Sequence, residues 1–318
     1  MNNQTSSSTN QFTANINEIL FLILTCVSIP SVCINLFAIY RLQPNTKLSV
    51  FVFRCVLHVS LFTTLTCLPI FLVELHFHSH FPLPLTVCKI WLITDYSSTV
   101  CLGLLFSWAS IQRHILIFGP IHIKKLQSTL KYKLVPCLFI LAFPLTWYSI
   151  LILPCDYQEI HLQCRPCFEG KKLLFLIDTL LSLLLPLLIT ILATFILLVR
   201  ILTLRRRLFR SNSKKWRRCK RLTRQMLLFS SIYSIGLLPY VINNFNSLYH
   251  FWPLIEFSSS EQIANAFTYV PCCFSSFLSI YAFPEIWRNH RSRHGNQQNS
   301  FRATRKPRNT SMSSSTET

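Results

Sequence analysis

The hydrophobic pattern of the chain consists of long apolar runs separated by short polar connections. Each run has about the 20 residues that an α-helix needs to cross a bilayer, and together the runs occupy most of the 318 residues. They are too long for ordinary buried helices, and no soluble domain fits in the remainder. We therefore predict an all-α membrane protein, a bundle of seven transmembrane helices over Ile19–Tyr40, Cys55–Val73, Ile90–Ile117, Leu134–Cys155, Thr179–Val199, Met226–Ile255 and Gln262–Pro284.

The placement of charge sets the expected orientation. Charged side chains make up 13% of the residues, about half the usual fraction in soluble proteins. The net charge of +20 does not indicate a nucleic-acid partner here, because 27 of the 31 Lys and Arg residues fall on one side of the predicted membrane and nine of the eleven acids on the other. Cytoplasmic loops carry the positive excess. We expect a plasma-membrane protein with an extracellular N-terminal tail (1–17), a seven-helix domain (18–287) and a cytoplasmic tail (288–318).

Four of the thirteen cysteines lie at the predicted outer end of the bundle, and the spacing of a metal-binding finger is absent. Cys88 begins the third helix, while Cys155, Cys164 and Cys167 belong to the loop after the fourth. An oxidising exterior favours a disulfide between Cys88 and that loop. We favour Cys164 as the partner; Cys155 and Cys167 either form a second bridge or remain free. On the same face, Asn3-Gln4-Thr5 predicts a glycosylated Asn3.

A short motif at the inner end of the third helix carries a family resemblance. Arg113 follows Cys88 by 25 residues, within Ser110-Ile111-Gln112-Arg113-His114, and the seventh run ends with Ser279-Ile280-Tyr281. The chain resembles the rhodopsin-like, or class A, G-protein-coupled receptors, which have Ser-x-(Asp/Glu)-Arg-Tyr and Asn-Pro-x-x-Tyr at these places. The resemblance covers about residues 18–290 and includes the landmarks Asn35, Pro69, Pro186 and Pro239. It implies that Gln112, Arg113, His114 and Tyr281 form the switch that couples to the G protein.

Several positions depart from the family pattern. Gln112 replaces the acidic residue before the arginine, and Phe277-Leu278 replaces Asn-Pro. The sixth helix has no tryptophan two residues before Pro239, the second helix has no aspartate for a sodium site, and Pro271 stands where opsins have the retinal lysine. We therefore expect neither an opsin nor sodium modulation, and a degenerate, non-signalling receptor remains an alternative. The expected short amphipathic surface helix follows Pro284.

Two carboxylates within the outer halves of the helices indicate the ligand. An ionisable residue inside a membrane helix is costly and suggests a functional site. The resemblance places Asp95 where amine receptors bind an ammonium group and Asp178 opposite it, with Tyr240 and Asn244 pointing into the same cavity. Both acids could instead pair with the basic residues of the outer loop, Arg165, Lys171 and Lys172. Because the sixth-helix tryptophan and a seventh-helix tyrosine beside Asp95 are both missing, we rank a peptide ahead of an amine.

These observations predict a receptor rather than an enzyme. We expect it to transmit the binding of an extracellular cationic ligand, a peptide or an amine, to a heterotrimeric G protein across the lipid bilayer. Its Ser/Thr-rich tail is typical of receptor-kinase targets that recruit arrestin. No cofactor or metal is expected. A transporter or channel subunit is the other alternative, although a chain with five glycines and no visible repeat does not favour it.

Overall fold

The computed structural model describes residues 3–41, 48–77, 84–118, 130–155, 164–211, 213–249 and 257–282, and these are almost entirely helical. A 3₁₀ turn (Cys167–Gly170) precedes α5, and a π-helical segment (Thr179–Leu184) joins α5 to α6. The α-helices of this part of the chain are α1 (Asn3–Arg41), α2 (Leu48–Phe77), α3 (Leu85–Phe118), α4 (Leu130–Ile152), α5 (Lys172–Asp178), α6 (Leu185–Ser211), α7 (Ser213–Tyr249), α8 (Phe257–Thr268) and α9 (Val270–Ala282).

The helices confirm the predicted fold of a seven-helix membrane bundle. Helices α1 to α4 form the first four spans, α5, the π segment and α6 form the fifth, α7 forms the sixth, and α8 with α9 form the seventh. In the described residues, six of these spans are long and apolar enough to cross a membrane, with mean hydropathies of 1.2 to 2.7. The seventh is divided by a turn at Tyr269, so that neither half reaches membrane-spanning length. The chain is a multi-pass membrane protein.

The helices extend beyond the apolar runs that predicted them. Helix α3 begins five residues before Ile90, at Leu85, and α7 begins at Ser213 rather than Met226. Hydropathy marks only the part of a helix that lies in hydrocarbon, whereas helical hydrogen bonding continues into the polar interface. Helix α1 likewise begins at Asn3, within the residues predicted to be the N-terminal tail (1–17). The predicted surface helix and the tail at 288–318 lie outside the described residues.

The spans close into a ring around α3. Helix α1 packs against α2 and α9, α3 contacts α2, α4, α6 and α7, and α7 contacts α6, α8 and α9. In the most apolar segment of α3, 67% of the residues are buried, whereas in that of α1 17% are buried. Helix α3 is therefore the central helix. Large apolar side chains such as Leu22, Phe139 and Phe195 remain more than half exposed, as expected of a surface that faces lipid.

Small hydroxyl side chains join the helices around α9. The Ser31 hydroxyl of α1 donates to the Cys273 carbonyl at 3.0 Å and lies 2.9 Å from the Ser276 hydroxyl. The Ser275 hydroxyl donates to Ser60 of α2 at 2.9 Å. Small polar residues allow close approach of membrane helices and supply hydrogen bonds between them. These contacts hold the second half of the seventh span against α1 and α2.

Two disulfides fix the loop between α4 and α5. Cys88 at the start of α3 is bonded to Cys164, and Cys155 is bonded to Cys167, with Cα–Cα distances of 5.8 Å in both. The sequence allows Cys155 and Cys167 either to form a second disulfide or to remain free. The structure contains the second disulfide. Because Cys164 and Cys167 are three positions apart, the start of the 3₁₀ turn is anchored to both α3 and the end of α4. The described part of this loop (164–171) lies at one end of the bundle, which we call the Cys88 end; the opposite end is the Arg113 end.

Candidate functional site

A cavity of about 250 Å³ opens at the Cys88 end of the bundle. Its walls come from α2, α3, α4, the disulfide-bonded loop, α5, the π segment, α7 and the seventh span. Among the described residues of this lining, the acidic ones are Glu74, Asp95, Glu169 and Glu261, and Arg165 is the single Lys or Arg residue. The cavity therefore carries an excess of carboxylates, an environment suited to positively charged groups.

Asp95 lies in this cavity, on α3, and is paired with a tyrosine. The Tyr269 hydroxyl donates a hydrogen bond to Asp95 Oδ1 at 2.8 Å, and the Tyr269 ring packs against Phe71 at 5.0 Å between ring centroids. The expectation that a seventh-helix tyrosine beside Asp95 is missing was wrong. Counting along a regular helix misplaces Tyr269, because the seventh span turns at this residue, just before Pro271, which cannot donate a helical hydrogen bond.

Asp178 does not contribute to the cavity, in contrast to the prediction. Its side chain is 3% exposed and accepts hydrogen bonds from the Tyr148 hydroxyl at 3.0 Å, the Trp147 indole at 3.1 Å and the Ser182 hydroxyl at 2.9 Å. Two of these donors belong to α4, so the carboxylate joins the fourth and fifth spans. Asp178 precedes Pro186 by eight residues in the sequence. The π segment at Thr179–Leu184 lies between them and changes the direction in which the earlier residues point.

Another carboxylate of the cavity, Glu169, is supplied by the disulfide-bonded loop. The Tyr96 hydroxyl donates to Glu169 Oε1 at 2.9 Å, and the Tyr96 ring packs between Tyr148 at 5.3 Å and Phe168 at 5.9 Å. Phe168 is almost fully buried and anchors the 3₁₀ turn in the bundle. Burial of the carboxyl, together with the nearby Glu261, raises the pKa of Glu169 to about 7 despite the Tyr96 hydrogen bond.

An ion pair lies at the rim of the cavity. Arg165 Nη2 donates to Glu261 Oε2 at 2.6 Å and thereby joins the loop to α8. The Arg165 side chain is 50% exposed and the Glu261 side chain 27%. The outer-loop arginine therefore pairs with Glu261 rather than with Asp95 or Asp178. Such an exposed pair contributes about 0–1 kcal/mol to stability.

Both polar residues predicted on the sixth span line the cavity. Tyr240 and Asn244 of α7 lie opposite α3, and the Asn244 amide donates to the Thr179 hydroxyl at 3.5 Å. The structure thus brings Asp95, Tyr240 and Asn244 together and separates Asp178 from them.

Sequence reasoning missed Glu74, Glu169, Glu261 and Tyr269. A signal for the acids was present, because most acidic residues fall on the Cys88 side of the membrane. Which of them turn inward depends on the disulfide-bonded loop, and this arrangement leaves no periodic pattern in the sequence.

The Arg113 end contains a much smaller cavity, of about 20 Å³, lined by Gln112 and Arg113 among mainly apolar residues. Gln112 and Arg113 are both buried, and among the described residues Gln112 Nε2 has no hydrogen-bond partner. His114 Nε2 lies 2.7 Å from the Ala193 carbonyl of α6. Tyr281 belongs to α9, but the prediction for its side chain, like that for the side chain of Asn3, lies outside the described residues.

A family model decides the identity of the bundle. The model described as 7 transmembrane receptor (rhodopsin family) matches residues 32–282, which include all seven spans except the beginning of the first. The chain belongs to the rhodopsin family of seven-transmembrane receptors. No curated protein matches the receptor. Members of this family are signalling receptors and typically not enzymes.

Proposed function

We propose that the receptor lies in the plasma membrane with its N-terminus and its Cys88 end outside, and that it transmits the binding of an extracellular cationic ligand, a peptide or an amine, to a heterotrimeric G protein at the Arg113 end. The observation that carries the proposal is the charge of the larger cavity, which has four carboxylates and one guanidinium. Receptor kinase and arrestin act on the Ser/Thr-rich tail in this scheme.

Asp95 is the proposed anchor for the ligand. It lies in the cavity wall and accepts hydrogen bonds from two neutral groups, the Tyr269 hydroxyl and the Cys67 thiol, which leaves about half of the four acceptor positions of a carboxylate available. A ligand ammonium or guanidinium can therefore bind Asp95 without displacing a charged partner. Tyr240 and Asn244 complete the polar wall across the cavity.

The test of the anchor compares two aspartates in receptor-expressing cells. A library of amines and short Lys- or Arg-containing peptides is screened by G-protein nucleotide exchange, and the active compounds are then tested on Asp95→Asn and Asp178→Asn. Loss of one partner of a desolvated charge pair costs about 2–5 kcal/mol, so we expect Asp95→Asn to lose at least about thirtyfold in potency. Asp178→Asn, matched in chemistry but outside the cavity, retains the potency. An unchanged response of Asp95→Asn contradicts the anchor.

The orientation and the coupling each have a separate test. Epitope tags on unpermeabilised cells are expected to be accessible at the N-terminus and inaccessible at the C-terminus. Arg113→Ala is expected to abolish nucleotide exchange while ligand binding persists, whereas Arg54→Ala, which changes another cation near the same end, retains exchange. Full exchange by Arg113→Ala would support the alternative that Arg113 only sets the topology of the helix.

A further inference from the structure

We propose that the larger cavity contains a second cation subsite, formed by Glu169 and Glu261, and that the ligand therefore carries two cationic groups, of which the second displaces Arg165 from Glu261. The inference rests on the proposed function, because it assigns the ligand class of the same cavity. It is carried by Glu169 of the loop and Glu261 of α8, which the ligand hypothesis for Asp95 does not use.

Two carboxylates of the cavity, Asp95 and Glu169, lie on different sides of α3. Asp95 faces the seventh span, where it meets Tyr269, whereas the next residue, Tyr96, faces the loop, where it meets Glu169. Successive residues of an α-helix point about 100° apart. Asp95 and the Glu169 carboxylate that Tyr96 binds therefore lie in different parts of the cavity. A single ammonium at Asp95 therefore leaves Glu169 without a cation from the ligand.

Glu169 is held in place for such a contact. Its turn begins at the disulfide-bonded Cys167, Phe168 beside it is buried, and the Tyr96 hydroxyl fixes one carboxylate oxygen at 2.9 Å. Among the described residues, its hydrogen-bond donor is the neutral phenol of Tyr96, so most of its acceptor capacity is available to a ligand. A rigid acceptor binds a cation with little loss of side-chain entropy.

Arg165 marks the place where the second cation binds. Its guanidinium reaches Glu261 across the rim and is itself half-exposed. An exposed ion pair contributes about 0–1 kcal/mol, so a ligand cation that binds both Glu261 and Glu169 displaces Arg165 at low cost. Arg165 therefore acts as an internal competitor for the subsite.

The ligand chemistry implied is a pair of ammonium or guanidinium groups on one flexible chain. A free diamine and a peptide with two basic side chains both supply it. The probes are therefore α,ω-diamines of increasing length, each beside the monoamine of equal length, together with short peptides in which two lysines or one lysine and one norleucine are present. The optimum diamine length reports the separation of the two subsites.

Binding is measured as the thermal stabilisation of the purified full-length receptor, so that it does not depend on G-protein coupling. On the wild type, we expect a dication of optimal length to bind at least about tenfold more tightly than its monocation. Glu169→Gln and Glu261→Gln reduce the dication to the level of the monocation and leave the monocation unchanged. Asp95→Asn weakens both, and Asp178→Asn weakens neither.

Removal of the competitor supplies a result that misfolding cannot imitate. Arg165→Gln leaves Glu261 without its internal partner, so we expect it to bind dications up to about fivefold more tightly than the wild type. Equal binding of dication and monocation to the wild type, weaker dication binding by Arg165→Gln, or no stabilisation by any probe up to millimolar concentration overturns the inference. If dication and monocation bind equally and Asp95→Asn still weakens both, the second subsite alone is refuted. If Asp95→Asn leaves binding unchanged, the proposed anchor is refuted.

Discussion

The two cavities of the receptor differ in size, charge and access. The cavity at the Cys88 end has about 250 Å³ and four carboxylates, two of which are held by tyrosine hydroxyls. The cavity at the Arg113 end has about 20 Å³, room for about one water molecule, and contains a buried guanidinium beside an unsatisfied amide. The Cys88 end is thus organised to receive a ligand, whereas the Arg113 end is closed around its cation.

A packed layer separates the two cavities. The Ser107 hydroxyl of α3 donates to the Pro186 carbonyl at 2.8 Å and lies 3.0 Å from the Thr190 hydroxyl of α6. On the other side of α3, Phe106 packs against Tyr233 of α7 at 5.2 Å. Communication between the ends therefore requires rearrangement of α3 against α6 and α7 rather than a continuous channel.

The largest effect is expected when the disulfide between Cys88 and Cys164 is removed. Cys88→Ser breaks the bond to Cys164 and releases the loop that carries Glu169, and loss of a native disulfide costs about 2–5 kcal/mol. We expect little receptor at the cell surface, measured with an N-terminal tag, and no ligand binding by what remains. The control is Cys26→Ser, which changes an exposed free cysteine of α1. Normal surface delivery and ligand binding by Cys88→Ser would show that this disulfide is not needed.

The next effect concerns the contact between the sixth and seventh spans. A Cβ at Gly236 would lie 2.7 Å from Pro271 Cγ and 2.9 Å from the Phe267 carbonyl oxygen, on both sides of the turn at Tyr269. We expect Gly236→Ala to lower the stability of the receptor by about 1–3 kcal/mol and to alter both cavities, measured by thermal unfolding and ligand binding. Gly170→Ala is the matched control, because a Cβ there meets nothing within 4 Å. Equal stability of the two variants contradicts the close contact.

A smaller effect is expected on ligand binding at the Cys88 end when the pH is changed. Burial and the nearby carboxylates of Glu261 and Asp178 raise the pKa of Glu169 to about 7, whereas Arg165 and the Tyr96 hydroxyl lower it in part. Only the ionised carboxylate attracts a cation, so binding strengthens as the pH rises through 7. We expect dication affinity to increase by up to about tenfold from about pH 6 to about pH 8. Glu169→Gln is expected to reduce this dependence, and an unchanged pH profile in that variant assigns the titration to another group.

The smallest effect tests the unsatisfied amide at the Arg113 end. An unpaired buried donor costs about 1–3 kcal/mol, so we expect Gln112→Met to leave the stability unchanged or to raise it by about 1 kcal/mol. In the same cavity, the Ser110 hydroxyl donates to the Phe106 carbonyl at 2.9 Å, and Ser110→Ala is expected to lower stability slightly. Thermal unfolding measures both. A marked loss in Gln112→Met would reveal a bound water that satisfies the amide.

The sequence predicted the spans more reliably than the directions of their side chains. Apolar runs of membrane length allow one structure, because unpaired backbone groups are too costly in hydrocarbon. Asp95, Tyr240 and Asn244 were placed correctly in the cavity wall because regular helix separates each from its reference residue. Asp178 was misplaced and Tyr269 was missed because a π segment and a turn lie beside them. Such departures from regular helix depend on packing between spans, which the residue pattern of one chain does not reveal.

The turn at Tyr269 gives the seventh span two halves with different attachments. Its first contact is with Asp95 in the ligand cavity, whereas α9 beyond it is fastened to α1 and α2 by serine hydroxyls. A compound that competes for the aspartate would loosen the tyrosine at the point where the backbone already changes direction. A fluorescent dye attached to α8, the half of this span at the Cys88 end, would therefore serve as an optical sensor of occupancy in detergent or nanodiscs, without any downstream protein present.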